Sequence, residues 1–423
     1  MAVFLPSVAA LQGHDTLIWS PDITLEENSK GYVAFSNFFS LDRDRVIWEN
    51  IWSERKVDQP LRNDTIFLLN ITTGTTRAIA HAPGPDHLWS LFPPFTISGD
   101  IIAYTDLGIS DLFIYNITEG KEYRFTRDGS LDSLDETRGN GNPFLDGDRI
   151  VWSKKKPYTK GYDYDIVMEN LTTGEFREIC TAQGDQIDPR ISGSRIVWTD
   201  RRNESGGSGG DIYLYDLATG KEIPVNMRAG LQQQPDISGD TVVWTDYRDG
   251  EPAIYLYNLE TKAENRISNL LTHAYRPLTD GDVVVWSEYS SLDRRDEPLV
   301  WIEVYDLHTG TLEPLNTTAS NPGLQDLDTG RILYFTDTGD HARKDGYLHL
   351  YVLDSPQGRD TVNTGSISSV PGQETNVTSP APGGQLPEDA LPVTPSAPGF
   401  APYLAGAALV TTAGLYSGRR TKV

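Results

Sequence analysis

The 423-residue chain has a single cysteine, Cys180, which excludes an intrachain disulfide and a thiolate metal cluster. Within FREIC it reads as a small buried apolar residue of a strand rather than a nucleophile. Positive charge is scarce: 36 Lys and Arg against 60 Asp and Glu give a formal charge of −24. That balance excludes nucleic acid as a partner, because a phosphate backbone calls for a basic footprint. The seven histidines, His14, His81, His87, His273, His308, His341 and His349, are scattered without HExxH or any close ligand spacing, so zinc is unsupported. G-x-S-x-G elbows, Walker loops and dinucleotide fingerprints are absent too. No catalytic residue, metal ligand or cofactor is assigned on these grounds. The acidic runs DGSLDSLDE (128–136) and DTGD (337–340) suggest Ca²⁺ only weakly, since neither has the spacing of a calcium loop and solvated turn acids account for both.

Repetition is what the chain has in abundance. ISGDTVVWTD (237–246) nearly copies ISGSRIVWTD (191–200), and the phrase recurs. Its closing aromatics are Trp48, Tyr104, Trp152, Trp198, Trp244, Trp286 and Tyr334, spaced by 56, 48, 46, 46, 42 and 48 residues. Each follows an apolar pair, usually after a turn such as Gly99-Asp100 or Gly239-Asp240, and Pro143, Pro189, Pro235 and Pro277 recur four residues ahead of the glycine. A second phrase follows after a loop, as in DLFIYN (111–116), DIYLYD (211–216) and AIYLYN (253–258), often running into a turn such as NITTG or DLATG. Asn or Asp opening such a turn bonds its own backbone, and Gly takes the left-handed position. A more polar strand then ends the unit.

Four short strands in about 45 residues is the period of a propeller blade. The middle strands are apolar on both faces, which a sheet sandwiched between neighbouring sheets requires. The reading is therefore an all-β chain: one β-propeller of four-stranded blades over residues 14–354, with seven blades favoured over six. The last unit stops after three strands, so TLIWS (16–20) is expected to complete it and remove the open edge. The aligned Trp and Tyr residues belong to the core.

Repeats of the form P-x-I-S-G-D-x-V-V-W-x-D followed by D-I-Y-L-Y-D-L-x-T-G resemble the TolB-type propeller repeats of archaeal surface proteins. The match covers most of residues 40–354 and is strongest in the middle four units; Arg43-Asp44 replaces Gly-Asp in the first, and Asp326 replaces proline in the last. The resemblance implies a scaffold that hosts binding and catalysis alike.

Beyond Asp354 the composition changes. Residues 355–397, rich in Pro, Gly, Ser and Thr, read as a flexible disordered spacer. Then come Pro398, Gly399 and Phe400, an apolar run at 401–417 that reads as a transmembrane segment, and the basic end carrying Arg419, Arg420 and Lys422, expected on the cytoplasmic side. Together these resemble the archaeal PGF-CTERM sorting signal of residues 398–423, which implies processing by an archaeosortase and lipid attachment. An unprocessed single-span anchor stays open. Residues 1–13 read as a truncated signal peptide or an apolar first strand. Seven sequons, at Asn63, Asn70, Asn116, Asn170, Asn203, Asn316 and Asn376, fit an exported glycoprotein. Asn70, Asn116 and Asn170 open blade turns, so turn chemistry alone also explains them.

The turns before the second strand and after the third are short and alike, whereas the loops between second and third strands vary, as in TDLGIS and RRNESGGSGG. In a propeller these sets lie at opposite ends of the ring, so variation is concentrated on one face, where recognition usually sits. That face is expected to offer Trp52, Trp89, Tyr158, Tyr162, Arg201, Arg202, Tyr247, Tyr289, Arg294 and Arg295. The resulting expectation is an exported, membrane- or lipid-anchored cell-surface propeller that binds an envelope glycan or protein. An extracellular polysaccharide lyase or hydrolase working in the funnel is the alternative. A periplasmic TolB-like assembly factor fits the C-terminal signal less well.

Overall fold

The computed structural model describes residues 13–19, 31–54, 61–82, 95–106, 111–126, 141–156, 163–203, 209–290, 299–317, 321–337 and 346–354. The chain divides into two compact units, Met1–Val370 and Pro371–Val423, and every described residue belongs to the first. Outside the described residues lie the signal-like start, the spacer, the sorting motif with its apolar run and basic end, the run 128–136, and Trp89, Tyr158, Tyr162, Arg294, Arg295 and Asn376. For Trp52 and Asn63 only the backbone is described.

Seven antiparallel four-stranded sheets form seven blades. Blade 5 is typical, with strands Gln232–Ser238, Thr241–Asp246, Ala253–Asn258 and Glu264–Arg266 in consecutive order. The first strands of successive blades touch one another all the way round, blade 7 meeting blade 1, so they line the central channel. In blade 7 the N-terminal strand Gly13–Trp19 pairs with Gly346–Leu353 as the fourth strand. The expected closure is therefore present, starting a few residues earlier than TLIWS.

Alternate residues of each second strand serve opposite neighbours. In blade 5, Val242 and Trp244 pack towards blade 4 while Val243 packs towards blade 6. Seven such clusters fill the seven junctions, the one between blades 7 and 1 uniting Trp48 with Leu333 and Leu348. This is why the period-2 pattern of an exposed sheet is missing: both faces are core. The aligned aromatics are all buried, Trp198, Trp244, Trp286 and Tyr334 completely. Most stack on the residue directly across the sheet, as Trp48 does on Phe67 (5.6 Å) and Trp244 on Tyr255 (6.1 Å).

The turn between first and second strands clasps the next blade. At six of the seven junctions the Ser or Asp ending one first strand accepts a backbone N–H from the following turn: Asp42 from Gly99 (2.8 Å), Ser98 from Gly147 (3.0 Å), Asp146 from Gly193 (2.6 Å), Ser192 from Gly239 (3.2 Å), Asp280 from Gly330 (2.5 Å) and Asp328 from Arg43 (2.6 Å). An arginine opening the second strand often reinforces the clasp by donating to that turn's carbonyl: Arg45 to Gly99, Arg149 to Gly193, Arg195 to Gly239 and Arg331 to Arg43.

Gly99, Gly147, Gly193 and Gly239 hold φ between 54° and 59°. An added Cβ would meet nothing within 4 Å at any of them, so conformation rather than space selects glycine. Blade 1 carries Arg43 at the same place with φ 55°, a left-handed geometry that costs an L-residue roughly 1 kcal/mol. Its clasp uses only backbone atoms, which glycine keeps. Arg43→Gly should therefore raise stability by up to about 1 kcal/mol in urea denaturation; a loss of stability would show that the arginine side chain itself holds the junction.

Candidate functional site

The clasps occupy one end of the ring. The loops between second and third strands open at the other, and there blades 4 and 5 carry matching internal networks. Trp198 Nε1 donates to Asp200 Oδ2 (2.8 Å), and Arg202 returns to the same carboxylate through its backbone N–H (2.9 Å) and guanidinium (2.6 Å). Arg202 also lies 4.2 Å over the Tyr213 ring and pairs with Glu222 at 2.7 Å. Trp244, Asp246, Arg248, Tyr255 and Glu264 repeat the arrangement. Asp200 and Asp246 are fully enclosed, and each buried carboxylate is answered by an arginine and an indole N–H. Arg202, expected at the binding face, is thus engaged within its own blade. Cys180 belongs to the same region, its thiol pushed up to about 12 by burial and taking an Arg202 N–H at 3.0 Å. That thiol stays protonated.

Blade 6 breaks the pattern, since Glu288 stands for the aspartate and Ser290 for the arginine. Glu288 is fully enclosed, bonded to Trp286 and Thr272, and burial raises its pKa. Beside it three tyrosines meet edge to face: Tyr247 and Tyr275 at 6.4 Å, Tyr275 and Tyr289 at 5.5 Å. Tyr247 and Tyr289 end or follow second strands, and Tyr275 lies on the channel-lining strand His273–Thr279. All three are partly buried, and burial raises their phenol pKa values, so they remain neutral donors at physiological pH. The structure therefore brings together two residues of the expected face through Tyr275, which sits in HAYRPLT and reads as an ordinary strand residue in sequence.

Deeper in the channel, the residues before the recurring prolines, Asn142, Asp188, Gln234 and Arg276, all have left-handed φ, between 51° and 54°. Each sits where the pairing register of its first strand shifts. A bulge re-aims side chains that regular alternation would place elsewhere. Neighbouring bulges reach each other: Asn142 Nδ2 donates to Asp188 Oδ1 at 2.6 Å. Two further carboxylates bind the next blade's inner strand, Asp236 accepting Thr279 N–H (2.8 Å) and Asp326 accepting Leu41 N–H (2.7 Å). Burial pushes both up to about 6. Among the described residues, no three His, Cys, Asp or Glu side chains converge as a metal site.

The described turn asparagines are engaged locally. Asn70 and Asn170 each accept turn N–H groups and donate to Asp44 and Asp148 (2.8 Å each). Asn116 accepts the Glu119 N–H, and Asn203 donates to Asp211 at 3.0 Å. Asn316 is exposed.

Fold and channel together define a seven-bladed β-propeller closed by its N-terminal strand. No family model and no curated protein matches the chain. Among solved structures it is similar to a puromycin-hydrolyzing peptidase from Mycobacterium tuberculosis (15% identity, 73% of this chain and 50% of that chain, TM-score 0.53). It is similar also to the β-propeller domain of the Trilobed protease from Pyrococcus furiosus (13%, 75% and 93%, 0.52), described as having an open velcro topology. A third is TolB from Acinetobacter baumannii (15%, 74% and 80%, 0.39). At such identities the first two show the fold alone, and the third adds no argument. The present chain spans half the length of the peptidase.

The raised carboxyls give a pH signature. Their folded pKa values, about 6, exceed the unfolded value of about 3.9. Their contribution to stability is full below about pH 4 and is lost as pH rises through about 6. Asp236→Asn should remove one share of that decline. Urea denaturation at pH 4.5 and 7 should show the variant gaining about 2 kcal/mol relative to the parent between the two pH values; parallel curves would mean that Asp236 ionises freely in the fold.

Proposed function

We propose that the protein is an exported cell-surface propeller, held at the membrane by its C-terminal segment or by a lipid that replaces it, and that its variable-loop face binds envelope glycans or proteins. The observation that carries the reading is the asymmetry of the ring. One end repeats the same clasp from blade to blade, whereas the other gathers Tyr247, Tyr275 and Tyr289 around the channel. Partly buried, neutral aromatic rings with hydroxyl donors suit ligands that present flat apolar faces edged with polar groups. The address comes from the sequence: spacer, Pro398-Gly399-Phe400, apolar run and basic end form the pattern of a sorted and anchored surface protein. An archaeosortase-like enzyme would be the processing partner.

Intact and peptide mass spectrometry of the protein from its native membrane fraction tests the address. The expected chain ends near Phe400 with added lipid mass. Glycan should be found first at exposed Asn316, and less at Asn70 and Asn170, whose amides are engaged in turns. An unmodified full-length chain would discard the sorting step, and recovery from the cytosol would overturn the surface assignment.

A further inference from the structure

Arg276 is a channel-lining cation whose guanidinium stands without a partner among the described residues. Its backbone N–H donates to Thr245 Oγ1 of blade 5 at 3.1 Å, but its guanidinium makes no hydrogen bond or ion pair among the described residues. By contrast Arg190, Arg202 and Arg248 each have a carboxylate within 4 Å. The titratable groups that act on Arg276 are Arg190 and Asp188 of blade 4, Tyr289 of its own blade and Asp326 of blade 7. Three of these groups stand on first strands, which line the central channel, as Arg276 itself does. It keeps contact with solvent there, yet protein surrounds it closely enough that burial and Arg190 both oppose its charge. The nearby acids do not neutralise it, because Asp188 is taken by Asn142, and Asp326 by Ser40 and Leu41.

At the corresponding bulge of the adjacent inner strand stands Gln234, whose Oε1 is buried and receives no donor among the described residues. Immediately before Arg276 comes Tyr275, the middle ring of the tyrosine trio. An unanswered guanidinium and neutral aromatic rings thus adjoin one another on the inner strand of blade 6. A guanidinium presents a planar fork that matches a carboxylate, and tyrosine faces suit the apolar side of a pyranose.

We infer that the channel wall of blades 5 and 6 is a subsite for an acidic saccharide, with Arg276 binding the sugar carboxylate and Tyr247, Tyr275 and Tyr289 forming its aromatic wall. The inference rests on the glycan-binding reading above and narrows it to carboxylated sugars. The formal charge of −24 does not oppose it at short range, since fields beyond about 8–10 Å are screened at physiological salt. The local charge is what the ligand meets.

The test is calorimetric titration of the full-length protein, solubilised in detergent, with a glucuronate-containing tetrasaccharide, its carboxyl-reduced neutral counterpart, and a short peptide ending in a free carboxylate. Arg276→Gln is the informative variant, because Gln234 already occupies the same left-handed bulge in blade 5 with φ 54° and shows that the fold accepts glutamine there. Arg276→Lys, which keeps the charge but loses the fork, is the second variant. The acidic sugar should bind at least tenfold more tightly than the neutral one, Arg276→Gln should erase that preference, and Arg276→Lys should weaken it partially. Equal binding of both sugars, unaffected by Arg276→Gln, would overturn the subsite while leaving a glycan-binding face intact. Preference for the peptide carboxylate would overturn the saccharide assignment. If neither sugar binds, the glycan reading fails as well.

Discussion

The ring depends on a hydrogen bond that joins neighbouring blades at six of the seven junctions, from the backbone N–H of a turn to the Ser or Asp that ends the adjacent inner strand. Between the blades lies apolar packing, which is strong but indifferent to angle. The clasp supplies direction, fixing how far one sheet is rotated and staggered against the next. Where Arg45, Arg149, Arg195 or Arg331 adds a charged donor to the same turn, the junction is held from both sides. Repeating one small geometry is enough to bring blade 7 back to blade 1, where the N-terminal strand covers the last open edge.

With one end of the ring committed to holding blades together, the other is free to vary. Even there, much of the charge is internal. Asp200 with Arg202, and Asp246 with Arg248, tie the second strand of a blade to its fourth through Glu222 and Glu264. Blade 6 carries Glu288 and Ser290 at those places, and there the tyrosines collect beside Arg276, whose guanidinium has no partner among the described residues.

The blade count, the double burial of the middle strands and the strand exchange at closure were all legible in the sequence, because each leaves a periodic trace: an aromatic at regular spacing, an apolar run without alternation, a unit one strand short. The clasp left only its short, uniform turn in the sequence pattern. Ser192 and Asp146 look like ordinary turn residues, since their partners lie 47 residues onward. Arg202 looked like surface charge for the same reason, with Glu222 on another strand. Arg276 and Tyr275 were hidden by the bulge before Pro277, where the register shifts and the alternation rule no longer tells which way a side chain points. Of the expected face, Tyr247 and Tyr289 do meet, but only through a residue that no pattern singled out.

Native-state hydrogen exchange would test the division of the ring most directly. The turn amides of Gly99, Gly147, Gly193, Gly239 and Gly330, which donate across junctions, should exchange only through global unfolding. Gly281, whose N–H turns to Thr279 of its own blade, and Gly250 in the opposite loops should exchange through local opening. Turn amides at the clasps that exchange as fast as Gly250 would contradict the claim that these bonds hold the propeller closed.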